Sequence, residues 1–238
     1  MKIQSPNRIA LLLIAVVMTG CAPRPPQIVP PATGFPAGFP AAFYSIVPRE
    51  AMYRVVPERS SLILKVYRTG ALAALGHNHV IESHVDGFVY LADDLTNARA
   101  DLFVPVAGFV VDDAAARAAA GPDFATQPTA SDIEGTRANM LGPKLLDAEK
   151  SPFIVVHVAP MHVGAESTQV QLSIQIRDRV ATVPVDVHWS RSGDELSIRG
   201  TFEVDHATLG LTPFSAVGGA LRVAEKIDVA VTLLAKAR

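Results

Sequence analysis

From Met52 onward apolar and polar residues alternate, and that period of two constrains this chain more than any other feature. Val170, Leu172, Ile174 and Ile176 are interleaved with Gln171, Ser173, Gln175 and Arg177, and Leu196, Ile198, Phe202 and Val204 with Ser197, Arg199, Thr201 and Glu203. Successive side chains of an extended strand point to opposite faces, so these segments put one face in a core and the other in water. The same pattern predicts strands over Ser61–Arg68, Val85–Leu91, Arg99–Val106, Phe153–Val163, Ala181–Trp189 and Leu221–Leu234. Turn signals such as Ala92-Asp93-Asp94, Arg177-Asp178 and Ser192-Gly193-Asp194 separate them. About eight strands joined mostly by short turns form an antiparallel sheet, and eight strands can close into a barrel, either filled by side chains or holding one apolar ligand.

One insertion interrupts the alternation. Asp113 to Ala120 is alanine-rich, and Ser131 with Glu134 reads as a capping box opening a helix that carries Ile133, Met140 and Leu141 along one side and stops at Gly142-Pro143. A second short helix is expected from Lys144 to Glu149. On a barrel such helices have one natural use, which is to cover an open end or a side mouth.

The chain begins with Lys2 and Arg8, then an apolar run from Ile9 to Met18 that closes on Thr19-Gly20-Cys21. Ten apolar residues are too few to span about 30 Å of hydrocarbon, so residues 1–21 read as a secretory signal. Met18-Thr19-Gly20-Cys21 resembles a bacterial lipobox, with Cys21 the only cysteine in the chain. That resemblance implies cleavage before Cys21, lipidation of its thiol and amine, and a membrane anchor in the periplasm, with Ala22 favouring the outer membrane. Residues 22–50 carry eight prolines and read as a semi-rigid, extended tether, followed by a domain over 51–238. Within the tether Phe35, Phe39, Phe43 and Tyr44 are spaced to lie against the domain or a bilayer, or to dock a partner.

Composition then closes several classes. A chain that is 49% hydrophobic and 18% charged folds over most of its length, and a net charge of -2 lacks the basic footprint that nucleic acid requires. One cysteine supports neither a disulfide framework nor a four-thiolate zinc site.

Six segments together point to a family. They are Tyr53–Leu62 (YRVVPERSSL), Gly87–Leu95 (GFVYLADDL), Gly142–Ile154 (GPKLLDAEKSPFI), Leu209–Leu211, Gly218–Leu221 and Glu225–Val229. Over residues 52 to 235, in order and with matching spacing, they resemble the YceI-like lipid-binding proteins. The resemblance implies an all-β fold, an eight-stranded antiparallel lipocalin-like β-barrel with small helical insertions. It also implies a periplasmic binding protein that holds an isoprenoid or similar amphiphile in an elongated tunnel, in a family with no settled catalytic activity.

Strand parity gives the lining of such a tunnel: Leu62, Leu64, Val66, Val104, Val170, Leu172, Ile174, Leu196, Ile198, Phe202 and Val229, with Met140 on the helical cap. Parity alone does not separate a lined cavity from a packed core. Where the family carries a Gly-x-Phe turn, this chain reads Gly76-His77-Asn78-His79. In extended chain His77 and His79 share a face, which suits two imidazoles on Zn²⁺ or Cu²⁺, and His206, His188 or Asp205 would supply a third ligand. The plainer reading is that these histidines make hydrogen bonds at a barrel rim and position a loop or a ligand's head group.

No Gly-x-Ser-x-Gly elbow or metalloprotease helix is present, and Asp93-Asp94 and Asp112-Asp113 read as turn acids, so no enzyme is expected. Three functions stay open: a membrane-tethered carrier of an isoprenoid quinone, polyprenol derivative or fatty amphiphile; a metal-binding or redox-associated envelope protein; and an envelope adaptor with a solid barrel. A two-fold homodimer is the expected oligomer by analogy.

Overall fold

In the computed structural model, residues 34–164 and 167–237 are described; the signal segment and Cys21 lie outside them. Among the described residues there are twelve strands: β1 (Met52–Val55), β2 (Ser61–Thr69), β3 (His79–Ser83), β4 (Asp86–Tyr90), β5 (Arg99–Pro105), β6 (Val110–Val111), β7 (Phe153–Val163), β8 (Ser167–Ile176), β9 (Arg179–Ser192), β10 (Glu195–Asp205), β11 (Ser215–Ala216) and β12 (Leu221–Ala237). Neighbours pair antiparallel in the order β1-β4-β5-β7-β8-β9-β10-β12, and β12 returns to β1 through Tyr53↔Ala237, which closes the ring. The same edge of β12 also pairs with β2, which continues to β3 and β6. Three staves of the barrel are thus broken strands, β1 with β2, β3 with β4 and β5 with β6, and the closed barrel has eight walls.

The alternating segments form the long strands because parity puts their apolar residues inside. Short β1, β3 and β6 carry too few residues for a period to be read from sequence. Gly87 is required where β4 crosses β5: its φ is +141°, and a Cβ there would lie 2.2 Å from the carbonyl oxygen of Asp101.

Among the described residues three α-helices accompany the barrel, α1 (Ala41–Ile46), α2 (Ala114–Ala120) and α3 (Ala130–Leu141). The cap of α3 differs from expectation. Thr129 is the N-cap and Asp132 completes the capping box, because starting two residues earlier lets Thr129 Oγ1 accept from the Asp132 N–H while the Asp132 carboxylate accepts from the Thr129 N–H. Lys144–Glu149 makes successive turns instead of a helix, with the Leu146, Asp147 and Ala148 N–H groups all bonded back to Met140, Leu141 or Gly142.

From Gly34 onward the aromatic rings of the proline-rich segment lie against the domain. Strands β4 and β5 are apolar on both faces: Val89, Ala100, Leu102 and Val104 turn inward, while Phe88 and Phe103 turn outward. Residues 34–47 cover that outer face. Phe35 and Phe39 stack at 4.9 Å and meet Phe103 edge-on, Tyr44 stacks on Phe88 at 4.8 Å, and the Arg99 guanidinium lies 4.5 Å from the Phe43 ring. The Tyr44 hydroxyl donates to Asp101 Oδ2 at 2.6 Å, and Asp101 also accepts from Arg99 and holds His157 Nδ1 at 2.8 Å. Burial, then the bond to Asp101, pushes the Tyr44 phenol far above its ordinary pKa, so it stays a donor.

Candidate functional site: a cavity through the barrel

Inside the barrel lies a cavity of about 920 Å³. Its walls carry Leu62, Leu64 and Val66 from β2, Val104 from β5, Val170, Leu172 and Ile174 from β8, Leu196, Ile198 and Phe202 from β10, Val229 from β12 and Met140 from α3. Every apolar position named from parity therefore borders it. Leu62, Leu64, Val156, Leu172, Ile174, Ile198 and Val231 turn inward yet are only half-buried, whereas Leu196, Val204, Ile227 and Leu233 are fully buried. Inward residues half-covered by neighbours mean that the barrel is hollow along its middle, which removes the solid-barrel alternative. The volume lies near the upper end of the ~300–1,000 Å³ range of ligand pockets.

The cavity spans the barrel from end to end. At one end Arg99, Leu95, Ala98, Pro160, Val163, Thr168 and Trp189 border it, with Trp189 Nε1 donating to Thr168 Oγ1 at 3.2 Å. At the other end it is bordered by Arg68, His77 and His79, by Thr136, Asn139 and Met140 of α3, by Lys144, and by the segment from His206 to Ser215. Helix α3 and the turns after it thus partly cover this second mouth.

All three candidate metal ligands, His77, His79 and His206, border the cavity, but they do not assemble into a metal site. Among the described residues no group of three or more His, Cys, Asp or Glu side chains is placed to hold a metal ion. The ring centroids of His77 and His79 are 6.4 Å apart. His79 Nδ1 is held by Asp112 Oδ2 at 2.6 Å, and His206 Nδ1 by the Glu225 carbonyl at 2.9 Å. His77 Nε2 lies 3.8 Å from Asp132 Oδ2, while its Nδ1 is buried without a hydrogen-bond partner among the described residues. The histidines are rim residues, with His79 and His206 oriented by protein acceptors.

Behind His79 stands a buried ion pair that the sequence did not announce. Arg117, 1% exposed, pairs with Asp112 Oδ1 and donates to the carbonyls of Asn78, Phe124 and Thr126. Arg117 sits mid-way along alanine-rich α2, whose N-cap Asp113 accepts from the Ala115 and Ala116 N–H groups. Asp112 adopts a positive φ of 57°. Burial works against its ionisation, and hydrogen bonds from His79, the Val80 N–H and Arg117 outweigh it, holding its carboxyl below the ordinary range. The Arg117 cluster fixes α2, the following loop and β3 as one body, and so sets the orientation of His79.

No protein-family model matches the chain, and no curated protein does either. Among solved structures it is similar to BcnA of Burkholderia cenocepacia, at 14% identity and a TM-score of 0.53, over 76% of this chain and 98% of that one. The fold is a BcnA-like barrel. The YceI protein of Campylobacter jejuni is also similar, at 8% identity and a TM-score of 0.46, over 65% of this chain and 81% of that one. Identity this low bears on the fold alone.

Proposed function

We propose that this protein binds and carries a long apolar ligand, an isoprenoid quinone, a polyprenol derivative or a fatty amphiphile, inside its YceI-like barrel. The observation that carries this reading is the continuous apolar cavity of about 920 Å³. Each methylene moved from water into such a lining gains about 0.8 kcal/mol, so a long chain binds without specific polar contacts along its length. Binding of this kind needs no chemistry on the ligand, and the protein acts as a container and not as an enzyme. The lipobox-like Met18-Thr19-Gly20-Cys21 supports a lipid anchor at Cys21 that holds the barrel on a membrane in the periplasm, the outer membrane favoured, where apolar ligands reside. Phe35, Phe39, Phe43 and Tyr44 pack on the barrel wall, which leaves these rings less free for partner docking.

Trp189 is the only tryptophan in the chain and borders the cavity. Titrating delipidated protein with a long-chain fatty acid brominated near its middle therefore gives a direct readout. Saturable quenching of Trp189 fluorescence at one molecule per barrel is expected. Quenching that never saturates, or none at all, overturns the carrier reading.

A further inference from the structure

The two ends of the cavity differ in charge. Strand register sets them apart: Thr69 pairs with Arg222 at the start of β12, whereas Arg99 pairs with Tyr90, Tyr90 with Met52, and neighbouring Tyr53 with Ala237 at its end. At the Arg99 end the cation is neutralised, because the guanidinium pairs with Asp101 Oδ2 at 2.7 Å. At the Arg68 end it is not. Arg68 is half-buried and donates to the Gly76 carbonyl, and no carboxylate of the described residues lies within salt-bridge reach of it.

Other groups at the same end have the same sense. His77 presents a buried Nδ1 with no partner, and exposed Lys144 and Arg222 border the opening without a carboxylate partner among the described residues. The two loop stretches beside the mouth, 69–78 and 207–223, contain no Asp or Glu. Where these stretches meet, a Cβ at Gly76 would lie 3.0 Å from the Leu221 side chain, and the Leu72 N–H bonds the Ala220 carbonyl at 2.8 Å. No Asp or Glu borders the cavity anywhere among the described residues. Of the acids at this end, Asp112 is engaged by Arg117 and His79, and Asp132 by the cap of α3, 3.8 Å from His77 Nε2, while Asp205 and Glu225, beside His206, are exposed and do not border the cavity.

A half-buried guanidinium facing an apolar space without a counter-anion is costly, and a ligand carboxylate or phosphate would form charge-assisted, bidentate-capable bonds there. We infer that the Arg68–His77 mouth is a head-group site for an anion, so that the carried ligand is an acidic long-chain amphiphile with its tail in the barrel. This inference rests on the carrier reading and specifies its ligand.

The test compares three probes of equal chain length, palmitate, hexadecyl phosphate and hexadecanol, each titrated into the full-length protein with Trp189 displacement of the brominated probe as readout. At least one acidic probe binds roughly tenfold or more tightly than hexadecanol, the ratio expected for a hydrogen bond to a charged group. Palmitate alone showing the preference assigns a carboxylate site, hexadecyl phosphate alone a phosphate site. Arg68→Gln removes most of the preference, weakening the acidic probes far more than hexadecanol. Arg68 also braces Gly76, so Lys144→Gln/Arg222→Gln, at exposed positions, is measured beside it and lowers the preference as well. Equal affinity for all three probes overturns the head-group site while leaving the carrier standing, and binding of none overturns the carrier itself.

Discussion

Val156→Phe separates a hollow barrel from a filled one in a single variant. Val156 lies on β7 opposite Ile174, faces inward, and is half-buried because it borders the cavity. In a close-packed core the extra carbons would force neighbours from their rotamers and cost ~1–3 kcal/mol. Here about 920 Å³ of space receives the ring, so the ligand-free protein should unfold in urea at an unchanged or slightly higher midpoint. The ligand bears the cost instead. Phenylalanine adds about four carbons, which occupy the place of about three ligand methylenes, and at ~0.8 kcal/mol each that is ~2.4 kcal/mol, or about a 50-fold loss of affinity. Urea unfolding followed by circular dichroism gives the first quantity, and Trp189 quenching by the brominated fatty acid the second. A variant destabilised by more than about 1 kcal/mol with unchanged affinity would refute the reasoning, because the interior would then be a core.

Other consequences follow from the buried polar groups. Arg117→Met should lose ~3–5 kcal/mol in urea unfolding, since it leaves Asp112 charged and buried without its partner, whereas Arg137→Met, whose one bond goes to the Ala107 carbonyl, should lose far less. Asp112 has its folded-state pKa below the unfolded value of about 3.9, so its contribution is complete above that pH and is lost as pH falls through the lower folded value. Acid unfolding should accordingly be shallower below pH ~4 in Asp112→Asn, compared by thermal midpoints across the range. Tyr44→Phe removes a hydrogen bond to buried Asp101, worth ~1.5–3 kcal/mol, and limited proteolysis should then cut within residues 34–50 at doses that spare the native chain.

Much of the barrel was legible because a strand's period survives any tertiary context that keeps one face dry. The Phe153–Val163 and Leu221 boundaries, and each parity-derived lining residue, fall where alternation puts them. What escaped was set by contacts distant in sequence. Phe35, Phe39 and Tyr44 sit in a proline-rich stretch whose spacing fitted the domain, a bilayer or a partner alike, and the choice of the domain rests on Phe88 and Phe103, more than forty residues onward. Arg117 lies in an alanine-rich helix with no local signal for burial, which depends on carbonyls that only the folded loop brings together. His77 and His79 share a face as spacing required, but same-face spacing does not fix a third ligand, and Asp112, more than thirty residues onward, holds His79 instead. Whether the interior was hollow was beyond parity altogether, since it depends on how far apart opposite walls stand.

The central claim is that the barrel interior holds a long apolar molecule. Native mass spectrometry of the full-length protein, isolated without added lipid from membranes of the organism that makes it, measures this most directly. A complex heavier than the polypeptide by one lipid-sized mass, released intact by solvent extraction, is expected. A bare polypeptide mass, from protein that also takes up no palmitate, polyprenol or isoprenoid quinone when these are supplied, would contradict it.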